Sequence, residues 1–149
     1  MVHVVRQFLF LLACLSFGGL AKADTLNLTV SAIILPRVSV QVLASPPALQ
    51  VTERDVAKGY VDAPVPLSLL VSSNTSRGVL LMFTSGSELV THTRVSGPQG
   101  DVQLGSAGGA VWVRDAQPRL HLALQFRFYL SAETAPGHYA WPLHVAAES

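Results

Sequence analysis

Histidines at His92, His121, His138 and His144, a Glu53-Arg54-Asp55 run and the glycine-rich stretch Gly105-Ser106-Ala107-Gly108-Gly109 are the residues whose types could do chemistry. Metal binding needs three or four converging ligands, and no His-x-His, cysteine pair or carboxylate cluster accompanies these histidines. His121 and His144 fall on the polar parity of expected strands, so the sequence allows them to be neighbours across a sheet. Glu53 and Asp55 could serve as acid and base, but they flank an arginine in a polar stretch that reads as a solvated turn. The glycine-rich stretch lacks the lysine of a phosphate-binding loop and leads into no helical pattern, so it reads as a hairpin loop. No serine sits in a Gly-x-Ser-x-Gly elbow. The chain is therefore read as non-enzymatic, with no catalytic, cofactor or metal site expected.

The elements that carry these residues are read from apolar periodicity. From Arg119 to Leu130, Leu120, Leu122, Leu124, Phe126, Phe128 and Leu130 alternate with Arg119, His121, Ala123, Gln125, Arg127 and Tyr129. A helix would scatter that row around its surface, whereas a strand places it on one face. The same period links Leu26, Leu28, Val30, Ala32 and Ile34, and Val38, Val40 and Val42 continue it beyond Pro36. Because proline donates no backbone hydrogen bond, Pro36 separates two segments. Further strands are expected at 49–52, 65–72, 78–84, 89–95, 102–104, 110–113 and 139–145, the last with Tyr139, Trp141, Leu143 and Val145 facing one way. A single helical turn is allowed near 53–57. Turn residues separate the strands at Ser45-Pro46-Pro47, Ser73 to Ser76, Gly97 to Gly100, Gly105 to Gly109 and Pro136-Gly137. Short strands split by such turns predict an all-β fold, a two-sheet sandwich or a barrel, of which an immunoglobulin-like β-sandwich is favoured.

Ahead of all this stand Arg6, an apolar run from Phe8 to Leu20 and then Ala21-Lys22-Ala23, the layout of a secretory signal peptide cleaved after Ala23. The run is shorter than the roughly 20 residues that span a bilayer, and the rest of the chain holds no longer one. Leu11-Leu12-Ala13-Cys14 also outlines a lipoprotein box that would acylate Cys14, but the short apolar run before it favours cleavage after Ala23. The expected organisation is a leader at 1–23, an extension or first strand at 24–35 and one β-sandwich domain at 36–149. Cleavage removes Cys14, the single cysteine of the 149-residue chain. An exported domain without disulfides must rely on packing, hydrogen bonds or association. The formal net charge of +1 falls to slightly negative once Arg6 and Lys22 leave, which disfavours nucleic acid as a partner. Asn27-Leu28-Thr29 and Asn74-Thr75-Ser76 match the glycosylation triplet, relevant only in a eukaryotic host.

Two stretches carry a family likeness: Leu26 to Ile34 running into a first strand at 37–43, and the closing Pro136-Gly137-His138-Tyr139-Ala140-Trp141-Pro142-Leu143. They resemble bacterial chaperone-usher pilins, particularly subunits with a domain like spore coat protein U, whose final strand carries Gly-x-Tyr. The family's usual cysteine near the start of the first strand is replaced here by Arg37 or Val38, so its disulfide is absent. The resemblance implies a sandwich lacking its last strand, completed by the extension of a neighbouring pilin subunit. Leu26, Leu28, Val30, Ala32 and Ile34 would be the donor row, and Tyr139, Trp141, Leu143 and Val145 would lie along the edge of the receiving groove. A periplasmic chaperone and an outer-membrane usher are the implied partners, with location in the periplasm or at the cell surface. Five buried positions at about 1.5–3 kcal/mol for a full-sized side chain would supply on the order of 8–12 kcal/mol. That rivals the net stability of a domain, about 5–15 kcal/mol. Periodicity alone leaves open whether the row pairs with its own chain, which would make the protein a self-contained periplasmic or secreted binding module.

Overall fold

Strict alternation over twelve residues makes Arg119–Leu130 the spine of one sheet, β9, with Leu122, Leu124, Phe126 and Phe128 buried. The computed structural model of the protein describes residues 31–114 and 117–148. The leader at 1–23 with its Cys14, the Asn27 triplet, and Leu26, Leu28 and Val30 of the alternating row lie outside those residues. Among the described residues no helix is long and apolar enough to cross a membrane.

The elements in chain order are β1 (Val38–Ala44), β2 (Ala48–Val51), α1 (Glu53–Lys58), β3 (Tyr60–Asp62), β4 (Leu67–Ser73), β5 (Val79–Ser85), β6 (Val90–Gly97), β7 (Gly100–Leu104), β8 (Gly108–Val113), β9, β10 (Gly137–Ala140) and β11 (Leu143–Glu148). One antiparallel sheet runs β1-β4-β9-β6-β7, with β3 also on β9, and the second runs β11-β5-β8. A two-stranded ribbon joins β10 to β2. The protein is an all-β sandwich of antiparallel sheets.

Between the sheets Phe83 meets Phe126 edge to face with centroids 5.7 Å apart, and Trp141 stands perpendicular to Phe126 and Phe128 at 5.6 and 5.2 Å. Such T-shaped pairs suit the ring quadrupoles and add to the burial of large apolar area. Leu49, Leu69 and Leu81 complete the fully buried layer.

Several strand boundaries depart from the periodicity. The strand expected from Val65 begins at Leu67, because Pro64 and Pro66 donate no ladder bonds and leave Val65 48% exposed. Here three residues, 64–66, oppose one on β9: Ala63 N–H donates to Phe126 O at 2.9 Å, and pairing resumes at Leu67 opposite Leu124. The residues before this bulge form β3, which the periodicity misses. The strand expected at 139–145 is two strands: β10 pairs with β2, β11 pairs with β5, and Trp141-Pro142 marks the change of partner. His121 and His144 are not neighbours, since His121 faces Leu70 across β9–β4 and His144 faces Thr84 across β11–β5 in the other sheet.

The turn expected near 53–57 is helix α1. Thr52 Oγ1 accepts from Asp55 N–H at 3.3 Å while Thr52 N–H donates to Asp55 Oδ2 at 3.0 Å, a reciprocal cap that satisfies both groups. Gly59, at φ 78°, ends it. Asp55 is thus the reciprocal partner of the Thr52 N-cap.

Candidate functional site

The two sheets meet along two flanks. On one, the β7–β8 hairpin crosses from sheet to sheet through Ser106-Ala107, with Gly105 N–H donating to Gly108 O at 2.9 Å and Gly108 N–H to Gly105 O at 3.1 Å. Ser85 N–H donates to Ala107 O at 3.0 Å, tying the turn to β5. Gly108 is required there: its φ is +107°, and a Cβ would overlap the Phe83 carbonyl. Under this hairpin Leu104, Val111 and Val113 are buried.

The other flank lies between β1 and β11, each paired along one edge only among the described residues. Directly opposite residues of an antiparallel pair share a face, so Val38, Val40 and Val42 project to the same side as Ser73, Val71 and Leu69 on β4. By the same rule Val145 and Ala147 project with Phe83 and Leu81. The inner partners Leu69, Val71, Leu81 and Phe83 are at most 2% exposed, whereas Val42 is 48% exposed and Val38, Val40, Val145 and Ala147 are only half-buried. Both edge rows point inward and pack in part against the core. β1 and β11 approach within 8 Å of each other, and among the described residues no further strand covers the two rows.

The trough between them holds two open cavities. One of about 320 Å³ is lined by Val42, Leu67, Phe83, Trp141, Leu143 and Val145. The other, of about 450 Å³, lies where Pro36, Arg37 and Val38 face Ala147 and Glu148. The first joins the end of β1 to the start of β11 and the second joins the start of β1 to the end of β11, so the two walls run antiparallel. Neither β1 (VSVQVLA) nor β11 (LHVAAE) contains the lysine or proline with which proteins commonly protect a free edge.

No family model, curated protein or solved structure matches this chain. The site is therefore read from its own geometry.

Of the row Leu26, Leu28, Val30, Ala32 and Ile34, only Ala32 and Ile34 are described, and residues 31–37 form no strand. Ile34 and Leu35 are 80% and 75% exposed. Asn74 holds this segment: its Nδ2 donates to Leu35 O at 2.9 Å, its Oδ1 accepts from Arg37 N–H at 2.7 Å, and its own N–H donates to Arg37 O at 3.2 Å. The amide of the Asn74-Thr75-Ser76 triplet is thereby engaged. Because Asn74 follows β4, the clamp lies on the edge of β1 away from the trough.

Of the other row, Leu143 and Val145 are on β11 and line the trough, Trp141 closes its end in the turn before β11, and Tyr139 is on β10 opposite Leu49. Tyr139 donates its hydroxyl to Ala135 O at 2.7 Å and takes no part in the trough lining. The sequence reading missed the second wall, Val38, Val40 and Val42. Their alternation was visible, but only strand order puts them at an edge. Among the described residues no three His, Cys, Asp or Glu side chains converge as metal ligands.

Proposed function

We propose that this chain is an exported, non-enzymatic structural subunit of a surface fibre or fimbria, assembled when a strand from a neighbouring copy fills the trough between β1 and β11. The single observation that carries this reading is the incomplete burial of the inward rows of two edge strands, Val42 above all, beside interior neighbours that are almost wholly buried. An extended segment laid there would bury alternate side chains in the trough and, because β1 and β11 approach within 8 Å, would gain backbone hydrogen bonds along one free edge or by parting the two. The row Leu26 to Ile34 has the required alternation. The resemblance to chaperone-usher pilins supplies the rest of the reading, with a periplasmic chaperone covering the trough before assembly and an outer-membrane usher exporting the fibre.

Trough length sharpens the energetics. Strand β1 has seven residues and β11 six, so an occupant contributes three or four inward side chains, fewer than the five in the row. At about 1.5–3 kcal/mol each, the gain is on the order of 5–10 kcal/mol, still comparable to a domain's stability.

Donation between copies is favoured over self-pairing by the clamp at Asn74. To fill the trough from its own amino-terminal side, the chain would have to reverse at Leu35-Pro36-Arg37. Those residues are instead fastened beside β4, with Ile34 and Leu35 in solvent.

The test compares the chain from Asp24 with one starting at Pro36, by gel filtration and melting, with and without a peptide copying Thr25 to Leu35. Donation predicts that the longer chain forms polymers and that the peptide raises the melting temperature of the shorter one. A stable monomer from the longer chain, indifferent to the peptide, would make the protein a self-contained sandwich.

A further inference from the structure

A separate concavity of about 420 Å³ lies beside the β2–β10 ribbon and β3, lined by Pro47, Gln50, Thr52, Asp62, Pro64 and His138. It shares no residue with the trough and its volume is in the range of small-molecule sites. Gln50 and His138 are directly opposite each other across β2–β10, both exposed, so their side chains stand together on one face. Neither side chain hydrogen-bonds to another described residue. Asp62 is fixed by a two-pronged pair with Arg127, Nε to Oδ1 at 2.7 Å and Nη2 to Oδ2 at 3.0 Å. Its carboxylate is half exposed and keeps lone pairs for a further donor. Thr52 spends its hydroxyl on Asp55 Oδ2 at 2.6 Å, and Pro47 and Pro64 add apolar surface to the lining.

The chemistry of this lining selects among ligand classes. Arg127 already balances Asp62, so a cation would compete with an existing ion pair and an anion would meet a carboxylate. An apolar ligand would cover Gln50, His138 and the remaining lone pairs of Asp62 without offering them a hydrogen bond. What remains complementary is a neutral molecule whose hydroxyls both donate and accept and whose C–H faces can lie on proline. We propose that this cleft binds a neutral saccharide unit. Beyond Asp62, Tyr60 projects from the same face of β3 with the Arg127 guanidinium 4.2 Å from its ring centre, followed by Tyr129 at 6.1 Å and His92 stacked on Tyr129 at 4.1 Å. This row offers a path for a second sugar of a longer chain. The proposal stands independently of strand donation.

The test uses the chain starting at Pro36, which carries the whole cleft and cannot polymerise by donation, together with the Thr25 to Leu35 peptide. It is titrated with glucose, galactose, mannose, N-acetylglucosamine and their β-linked disaccharides, followed by calorimetry and amide NMR shifts. At least one should bind saturably, with shifts centred on Gln50 and His138. Gln50→Ala and His138→Ala should each weaken binding about tenfold, the loss of roughly one hydrogen bond, without moving the melting temperature. Gln103→Ala, on β7, should leave binding unchanged. Absence of saturable binding by every probe up to about 50 mM overturns the proposal. So does binding indifferent to both cleft substitutions, or a preference for glucuronate over glucose.

Discussion

On the flank closed by the β7–β8 hairpin, Leu104, Val111 and Val113 are 1–3% exposed; on the flank between β1 and β11, Val42 is 48% exposed and Val38, Val40, Val145 and Ala147 are only partly buried. Composition is not what separates them, since valine, leucine and alanine supply both. The closed flank has a covalent turn that carries the chain from one sheet to the other, so its strands cover each other at the cost of one short loop. On the open flank β1 leads away into β2 and β11 follows β10, so no described segment bridges the two edges. Among the described residues, one flank of this sandwich is tied by its own covalent turn and the other is left with two edge strands.

The largest effect that tests this contrast is expected at the closed turn. Gly108→Ala would combine a left-handed backbone with overlap at the Phe83 carbonyl, and should cost about 3 kcal/mol or more in urea unfolding. The loss should be equal with and without the Thr25 to Leu35 peptide, because the hairpin is complete in both states. The open flank should behave in the opposite way. Val145→Asp places a carboxylate that water can reach in the free chain, so the variant alone should lose about 1 kcal/mol. With a strand over it the same charge would be buried without a partner. A peptide at 100 times its dissociation constant stabilises by about 2.7 kcal/mol, and that gain should vanish in the variant. An unaltered melting shift on adding peptide would remove the trough as its site.

These contrasts show which features could be read from the residues and which could not. β9 was legible from end to end because a single buried face imposes strict alternation over its whole length. β3 was not, since three residues offer one inward side chain, Val61, between Gly59 and Ala63. The break at Trp141-Pro142 was hidden because Tyr139, Trp141, Leu143 and Val145 keep one parity while the chain changes sheets, and only Pro142 hints at it. The cap of α1 was present as Thr52, Asp55 three residues on and Gly59, too short a helix to show periodicity. For the trough, alternation gave the rows but not their exposure. Whether Val42 is interior or at an edge depends on β4 pairing with β9 some fifty residues away, which local pattern does not encode.

A smaller effect is expected at the clamp. Asn74→Ala removes the bonds to Leu35 O and Arg37 N–H but keeps the backbone bond to Arg37 O, so the loss should be about 1 kcal/mol. The response to peptide should persist. A gain in stability would mean that the clamp had been holding this segment out of its own trough, which reverses the argument against self-pairing.

The smallest effect serves as an internal reference, since α1 belongs to neither flank. Hydrogen bonds from the Thr52 hydroxyl and N–H hold the Asp55 carboxyl below its ordinary value of 3.8. A group with a depressed folded value contributes stability that is fully present above the unfolded value and is lost as the pH falls through the folded one. Asp55→Asn should therefore cost about 0.5–1 kcal/mol at neutral pH, discounted for the exposure of the site. The gap between variant and wild type should close as the pH is lowered below the ordinary carboxylate value. Melting curves across that range should show the same gap with and without peptide. A gap that changed on adding peptide would couple α1 to the trough, and the open flank could no longer be treated as a region that is finished independently of the rest.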